Sequence, residues 1–210
     1  MKTDLTLWGA GTARSLRPIW TAEELGLEYR LNPIGPRTGE TQTPEYTQLN
    51  PKQKIPFCED GEFGISESIA ICKYLVSKFG NESTISPPAT IEEQARQDEW
   101  LSYIYGEMDE TSLYVMRRHD RLASIYGEAP TAIEAAREYL GKHLLVADQY
   151  LEGKSFLLSE RFGLPDIFLT TCLNWVEAYE IPMPANLLHY RNRIIERPAY
   201  LKAIAMNQPA

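Results

Sequence analysis

A short stretch rich in glycine, serine and proline divides the sequence into two parts with different patterns. Residues 80–90 read GNESTISPPAT, and the paired Pro87 and Pro88 cannot continue a helix or complete a sheet ladder. Short apolar runs separated by turn signals precede this stretch, whereas long patterns with helical spacing follow it. The sequence therefore predicts a mixed domain over residues 1–80, a linker over 81–90 and an all-helical domain over 91–210.

The first part predicts an α+β domain with the element order β-α-β-α-β-β-α. Residues 5–8 form an apolar run typical of a strand, and apolar side chains at helical spacing follow it up to Gly26. Residues 28–31 predict a second strand, which is followed by an irregular stretch with one short helix. The Asp-Gly pair at residues 60–61 lies between two short apolar runs, as in a tight hairpin, and a helix is predicted over residues 67–79.

The second part predicts an all-α helical bundle. Two long patterns each place their apolar residues on one helix face: Leu101, Ile104, Met108 and Val115 in the first, and Ile133, Ala136, Leu140, Leu144, Ala147 and Leu151 in the second. Residues 165–179 are apolar on nearly all sides, which is typical of a helix at the centre of a bundle. A final amphipathic helix is predicted over residues 185–196, and its end is placed there because Pro198 follows.

Charge and composition narrow the classes of partner. The chain has 21 Lys and Arg against 29 Asp and Glu, so it has no basic excess with which to bind a nucleic-acid backbone. No apolar run reaches the roughly 20 residues that span a bilayer, and the N-terminal residues lack the apolar core of a signal peptide. Cys58, Cys72 and Cys172 form no C-x-x-C motif, which argues against a disulfide framework and a dithiol site. We expect a cytoplasmic protein that binds neither nucleic acid nor a membrane.

Two short motifs predict a binding site for a small zwitterionic peptide. In Lys54-Ile55-Pro56 the proline stands at the start of a strand, where a cis bond would leave the main chain of Ile55 free to pair with a ligand. Glu67 and Ser68 stand at a helix start, where free amides and the serine hydroxyl favour a carboxylate and the glutamate can receive an ammonium. Taken singly, a strand-start proline explains Pro56 and a helix cap explains Glu67 and Ser68 equally well, and a lone lysine such as Lys54 is more often simply solvated. Their combination favours the ligand.

The stretch LNPKQKIPFCEDGEFGISESIAICKYL, residues 49–75, resembles the glutathione-binding half of the glutathione transferase family. In that family N-P-x-x-K-[VI]-P is followed by a D-G hairpin and an E-S helix start. The tail RPAYLKAI, residues 197–204, is similar to the end of the family's helical domain, so the resemblance spans the chain. It implies a thioredoxin-like first domain of theta- or beta-like bacterial type, glutathione as co-substrate without a metal, and a cytoplasmic homodimer.

The same resemblance implies a role for each residue of the two motifs. The main chain of Ile55 would pair with the cysteinyl unit of glutathione, and Pro56 would be cis. Glu67 and Ser68 would hold the γ-glutamyl end. Lys54 would reach toward the glycyl carboxylate.

Catalysis requires a group that lowers the pKa of the glutathione thiol, which is about 8.5 for an unperturbed thiol. In the family this group lies in the first strand-to-helix turn, which here reads WGAGTARSLRPIW. Thr12 falls where theta-like members carry their catalytic serine, and Arg14 and Ser15 fall where beta-class members carry a cysteine and a neighbouring serine. Trp8 stands near the tyrosine position of the tyrosine-type classes, so that mechanism is not expected. The resemblance therefore implies Thr12 as the donor to the thiolate, with Ser15 second and Arg14 as a helper; a helix cap is an equally good interpretation of Thr12.

The implied activity is transfer of glutathione to a hydrophobic electrophile, as in detoxification, or reduction of a peroxide. We expect the second substrate between the two domains, against Tyr105, Met108 and Ser112, because an aromatic and methionine lining suits a hydrophobic molecule. Ordinary core or surface positions are the alternative interpretation of each residue. The alternative function is a glutathione transferase-like binding or regulatory protein without turnover. Two residues favour it, because Thr12 replaces a serine and Thr41 stands where theta-like members often carry a histidine.

Overall fold

The chain divides into two units that do not coincide with the predicted domains at the C-terminal end. The computed structural model describes residues 2–81, 85–158 and 160–209. Contacts between Cα atoms group Met1–Pro87 with Ile195–Ala210 in the first unit and leave Pro88–Ile194 as the second. The sequence assigned all of residues 91–210 to the helical domain, whereas the last helix packs on the first unit. Residues 82–84 of the predicted linker lie outside the described residues.

The first unit contains a four-stranded mixed sheet in the order β2-β1-β3-β4. Strand β1 (Lys2–Trp8) pairs in parallel with β2 (Glu28–Asn32) and antiparallel with β3 (Phe57–Asp60). Strand β3 continues through the predicted Asp-Gly turn into β4 (Phe63–Ser66), which is antiparallel to it. The sheet therefore combines one crossover with one hairpin.

Three helices complete the predicted order of the first domain. Helix α1 (Ala13–Glu24) connects the two parallel strands, α2 (Pro44–Leu49) follows a 3₁₀ turn at Glu40–Gln42, and α3 (Ser68–Phe79) follows the hairpin. Fully buried apolar side chains from the sheet, α1 and α3 form the core: Leu5, Leu7, Leu16, Ile19, Trp20, Ile71 and Leu75. The predicted α+β, thioredoxin-like class is confirmed.

The second unit consists of helices and their connections. Its segments are α4 (Ile91–Tyr103), a π-helical segment (Ile104–Tyr114), α5 (Val115–His119), α6 (Ala123–Tyr126), α7 (Pro130–Tyr150), α8 (Leu164–Ala178) and α9 (Ala185–Ile194). In α8 every residue from Leu164 to Leu173 is buried, as the apolar pattern predicts for a central helix. None of the helices in the described parts of the chain is long and apolar enough to cross a membrane.

A tenth helix, α10 (Pro198–Met206), follows where the sequence predicted the helical pattern to end. Pro198 occupies the first helical position, where a missing N–H leaves no intrahelical bond unmade. The helix packs on α1, and the rings of Trp20 and Tyr200 lie edge to face with centroids 4.9 Å apart. Arg197 adds two bonds of 2.7 Å to the carboxylate of Glu24. The C-terminal segment is therefore part of the first unit.

Candidate functional site

The turn between β1 and α1 is closed by two hydroxyl side chains. Thr12 is the N-cap of α1 and has extended backbone angles, φ −132° and ψ 157°. Its Oγ1 accepts the N–H of Ser15 at 2.9 Å, and the Oγ of Ser15 accepts the N–H of Thr12 at 3.1 Å. The helix-cap interpretation of Thr12 thus describes its geometry. A hydroxyl that accepts in this way still has its own proton, so capping leaves Thr12 able to donate to a ligand.

Ser15, the second catalytic candidate, lies inside the fold. It is 0% exposed. Its Oγ lies 2.8 Å from Thr12 Oγ1, 3.0 Å from the Thr12 carbonyl oxygen and 2.9 Å from Asn207 Oδ1. A hydroxyl so enclosed has no surface for a thiol, and it supports the turn from behind Thr12.

The predicted main-chain edge at Ile55 is present beside this turn. The Ile55–Pro56 peptide bond is cis, as the resemblance implies. Within residues 2–81, 85–158 and 160–209, neither the N–H nor the C=O of Ile55 has a hydrogen-bond partner. Gly9, with φ +109°, approaches Ile55 so closely that a Cβ on it would lie 2.5 Å from the Ile55 Cβ. The turn that carries Thr12 and the free edge of Ile55 are therefore neighbours.

Two side chains fix the segment that precedes Ile55. The carbonyl oxygen of Lys54 accepts the hydroxyl of Tyr46 at 2.6 Å and the amide of Asn50 at 2.8 Å. Burial raises the pKa of Tyr46 to about 12, so its phenol keeps its proton as a donor. The ammonium of Lys54 is exposed and has no partner among the side chains that the structure describes. It is available for a carboxylate.

The start of α3 leaves a buried hydroxyl unused. Ser68, the first residue of the helix, is 4% exposed, and its Oγ has no hydrogen-bond partner in the described part of the chain. A buried polar group without a partner costs about 1–3 kcal/mol, so such a group points to a ligand. The preceding Glu67 has φ +74°, a conformation that is uncommon for non-glycine residues and is enriched at active sites and ligand sites.

The carboxylate of Glu67 already binds an ammonium group. The Nζ of Lys52 lies 2.8 Å from its Oε1, and the same nitrogen donates to Ser66 Oγ at 2.9 Å. Both charged side chains are more than half exposed, so water weakens their attraction. A ligand ammonium can therefore join Lys52 at this carboxylate or replace it.

The three candidates for the second substrate differ in exposure. Met108 and Ser112 are 0% exposed, whereas Tyr105 is half-buried. The segment that carries them is π-helical, with wider turns than an α-helix, so the spacing of three and four residues does not mark one face. The hydroxyl of Ser112 donates to the carbonyl oxygen of Glu107, five residues earlier, at 2.6 Å. Of the three, only Tyr105 has an exposed surface.

Two further residues form side-chain hydrogen bonds within the fold. Thr41 is buried and its Oγ1 accepts the side-chain amide of Gln42 at 2.7 Å, so it does not present a hydroxyl at the surface. The indole of Trp8 donates to Glu59 Oε2 at 2.5 Å. In the described residues, no group of three His, Cys, Asp or Glu side chains is arranged to hold a metal ion.

Sequence reasoning missed Asn207. Its side chain contacts Gly11, Thr12 and Ser15, which lie at the start of α1 near the other end of the chain. An asparagine after the last helical residue is common at helix ends and predicts a cap rather than a contact 192 residues away. No pattern in the sequence could have found it.

Comparisons with known proteins agree with this architecture. The model of the glutathione S-transferase N-terminal domain matches residues 3–77, and that of the C-terminal domain matches residues 92–198. Glutathione S-transferase 1 of Zea mays is 27% identical over 98% of both chains. A theta class glutathione S-transferase of Xanthomonas axonopodis pv. citri, solved with glutathione bound, is 26% identical with a TM-score of 0.80, covering 96% of this chain and 97% of that one.

A glutathione transferase of Phanerochaete chrysosporium, solved in complex with oxidized glutathione, has a TM-score of 0.85 over 98% of this chain and 96% of that one. At 24% identity it supports the fold alone. The two domain models together match most of the described chain, and the C-terminal model alone matches more than half of it. The chain therefore belongs to the glutathione S-transferase family.

Proposed function

We propose that this glutathione transferase binds glutathione between the Ile55 edge and the start of α3, and that Thr12 stabilises the thiolate for transfer to a hydrophobic electrophile. The observation that carries the proposal is a set of polar groups that the fold leaves unpaired. The main chain of Ile55 and the buried hydroxyl of Ser68 both lack partners in the described residues. A γ-glutamyl peptide supplies partners for each of them.

Each end of the peptide finds a charge of opposite sign. The γ-glutamyl carboxylate would accept from Ser68 and from the free amides at the start of α3, where the helix dipole also favours an anion. Its ammonium would lie at the carboxylate of Glu67. The exposed ammonium of Lys54 is the candidate for the glycyl carboxylate. The cysteinyl unit would pair with Ile55 in the manner of an added strand.

This placement brings the cysteinyl sulfur to the turn at Thr12, because Gly9 and Ile55 are in contact. The Thr12 hydroxyl would donate to the thiolate while its oxygen accepts the N–H of Ser15. The positive end of the α1 helix dipole and the positive charge of Arg14, in the same turn, would also stabilise the thiolate. The thiol proton passes to solvent, the sulfur forms a bond to the electrophilic carbon, and the leaving group takes the electron pair of the bond that breaks. The same thiolate would also serve peroxide reduction.

The remaining family properties are also proposals. Phe63 on the edge strand β4 is 46% exposed and stacks on Tyr74 with ring centroids 4.8 Å apart, an apolar surface that a second copy of the chain would cover in a homodimer. Cys58, Cys72 and Cys172 are buried and form no disulfide in the described residues, as in proteins of the reducing cytosol. Of the candidate electrophile contacts, Tyr105 is retained because it has an exposed surface.

One observation favours the alternative, a protein that binds glutathione without turnover. The oxygens of Thr12 and Ser15 lie 2.8 Å apart, so the Thr12 proton can be directed to Ser15 rather than to a ligand. A thiolate is a charged acceptor and forms a stronger hydrogen bond than the neutral Ser15 oxygen does. We therefore expect the Thr12 proton to turn to the sulfur once a thiolate is bound.

Turnover decides between the two functions. Conjugation of glutathione to a chlorodinitrobenzene should be measured for the wild type, Thr12→Ser and Thr12→Ala, with glutathione affinity determined separately by calorimetry. The proposal predicts turnover by the wild type and Thr12→Ser, and a fall in kcat of about a hundredfold in Thr12→Ala with little change in affinity. Glutathione binding without turnover in the wild type, against several electrophiles and peroxides, would establish the alternative.

A further inference from the structure

The side chain that ends α10 binds the turn that carries Thr12. Asn207 is 7% exposed, and its own N–H closes the helix on the Ala203 carbonyl oxygen at 2.9 Å. Its Oδ1 accepts the N–H of Gly11 at 3.1 Å and lies 2.9 Å from Ser15 Oγ. Its Nδ2 donates to the carbonyl oxygen of Thr12 at 3.0 Å. The oxygen and the nitrogen of the carboxamide therefore both form hydrogen bonds to one turn, at Gly11, Thr12 and Ser15.

The main chain of the same segment adds a second attachment. The N–H of Gly11 also lies 3.2 Å from the carbonyl oxygen of Asn207. Gly11 has φ +77°, and a Cβ on it would lie 2.6 Å from Cγ of Pro209. The turn and the C-terminal residues thus fit against each other with no room for a side chain at position 11.

Packing of α10 on α1 holds Asn207 at this place. Glu24 and Glu23 on α1 each bind a basic residue of the C-terminal segment, Arg197 at 2.7 Å and Lys202 at 2.6 Å. At the other end of the helix, the hydroxyl of Tyr29 lies 3.4 Å from the sulfur of Met206. Because these contacts lie before Asn207 in the chain, the helix remains attached when only the carboxamide is removed.

We propose that Asn207 is a positioning residue for thiol activation, holding the Gly11–Ser15 turn so that the Thr12 hydroxyl points at the glutathione sulfur. This inference rests on the proposed function. The direction of the Thr12 side chain follows from the backbone on either side of it, and Asn207 binds that backbone at the Gly11 N–H and the Thr12 C=O. A misplacement of about 1 Å at a reacting group costs about a hundredfold in rate, so a residue that fixes the turn affects the chemistry without touching the substrate.

The proposal is tested with two variants and a neighbouring control. Asn207→Ala removes the whole carboxamide. Asn207→Asp keeps its size and its acceptor atoms but cannot donate to the Thr12 carbonyl. Gln208→Ala changes the next residue, which is exposed and whose side chain donates to the Ile204 carbonyl oxygen of α10, away from the turn. The turn and the thiol pKa of this variant should therefore match the wild type. Far-ultraviolet circular dichroism and thermal unfolding establish that each variant is folded.

The first readout needs no ligand. Amide hydrogen exchange at Gly11, Thr12 and Ser15 should be about tenfold faster in Asn207→Ala than in Gln208→Ala, since each lost hydrogen bond contributes on the order of 1 kcal/mol. The second readout is the pKa of the bound glutathione thiol. This pKa should rise by at least about half a unit in Asn207→Ala, and the rise in Asn207→Asp should be at least as large. The affinity for S-methylglutathione, which has no thiol, should stay within about twofold of the wild type because its binding does not depend on thiol activation.

The outcomes separate this inference from the proposed function. If the thiol pKa is lowered in the wild type and equally lowered in folded Asn207→Ala, the role of Asn207 is overturned and the proposed function stays intact. If Asn207→Ala loses affinity for S-methylglutathione while its thiol pKa is unchanged, the role in thiol activation is likewise overturned, because Asn207 would then have a structural role alone. A wild type that binds glutathione without lowering its thiol pKa would overturn both proposals.

Discussion

The carboxamide oxygen of Asn207 lies 2.9 Å from the hydroxyl oxygen of Ser15, although 192 residues separate them in the sequence. Together, Asn207 and Ser15 form hydrogen bonds that hold the turn carrying Thr12. The hydroxyl proton of Ser15 has acceptors within 3.0 Å at Asn207 and Thr12, and its oxygen accepts the Thr12 N–H. Ser15 is therefore a support for the turn, and its contribution should appear in stability.

Replacing Ser15 by alanine should lower the free energy of unfolding by about 1–2 kcal/mol, because it removes one half of the reciprocal cap and leaves the partly buried Thr12 N–H without its partner. Urea denaturation measures this change. The matched control is Ser102→Ala on an exposed position of α4, which should stay within about 0.5 kcal/mol of the wild type. Equal stability of Ser15→Ala and Ser102→Ala would contradict the capping role.

Ser68→Ala should affect stability and binding in opposite directions. The Ser68 hydroxyl is buried without a partner, so its removal should leave the ligand-free protein as stable or raise its free energy of unfolding by up to about 1 kcal/mol. Glutathione affinity should fall about tenfold, because the γ-glutamyl carboxylate loses a hydrogen bond. Calorimetric titration and urea denaturation measure the two effects.

Ser77→Ala is the control for Ser68, since Ser77 lies on an exposed position of the same helix. It should change neither quantity. A Ser68→Ala variant that loses stability but keeps its glutathione affinity would show that the hydroxyl serves the fold.

Asp166 predicts a pH dependence of stability in the second unit. Its carboxylate accepts the N–H of Gly163 at 2.8 Å, the N–H of Leu157 at 3.0 Å and the hydroxyl of Tyr190 at 2.6 Å, which gives it a structural role at the start of α8. Burial raises the pKa of Asp166 from 3.8 to about 6, and the three hydrogen bonds oppose that rise. Because the pKa is higher in the folded protein, protonation of Asp166 stabilises it fully below pH 3.8, and this contribution is lost as the pH rises through 6.

The wild type should therefore gain stability relative to Asp166→Asn, which does not titrate, as the pH falls. Between pH 7 and pH 5 the difference in unfolding free energy should shift by about 1.4 kcal/mol in favour of the wild type. Denaturation of both proteins at each pH gives this difference and cancels the other titrating groups. A shift of the opposite sign would mean that the hydrogen bonds lower the pKa of Asp166 more than burial raises it.

The sequence predicts the parts of the structure that depend on local chemistry. The Asp-Gly hairpin, the helix start near Ser68 and the all-round apolar α8 each follow from a few neighbouring residues, and the cis Pro56 was implied by the family resemblance. Helix α10 was missed because Pro198 indicates the end of one helix as well as the start of another. Local signals thus give the elements and the order of the first domain.

Properties that depend on tertiary contacts could not be predicted in the same way. Tyr105, Met108 and Ser112 were expected to line the second-substrate site because of their residue types, but the segment is π-helical and buries two of the three. Ser15 was a catalytic candidate by alignment, but it is buried and one of its hydrogen-bond partners, Asn207, comes from the C-terminal end of the chain. Asn207 has no local signal, because its partners come from the other end of the chain.

The role of Thr12 in thiol activation is tested by the pKa of glutathione bound to the wild type, Thr12→Ser and Thr12→Ala. This pKa is measured from the ultraviolet absorbance of the thiolate as a function of pH. We expect a pKa at or below about 7 in the wild type and in Thr12→Ser, and a return toward about 8.5 in Thr12→Ala with glutathione still bound. A pKa in Thr12→Ala that is as low as in the wild type would contradict the role of Thr12.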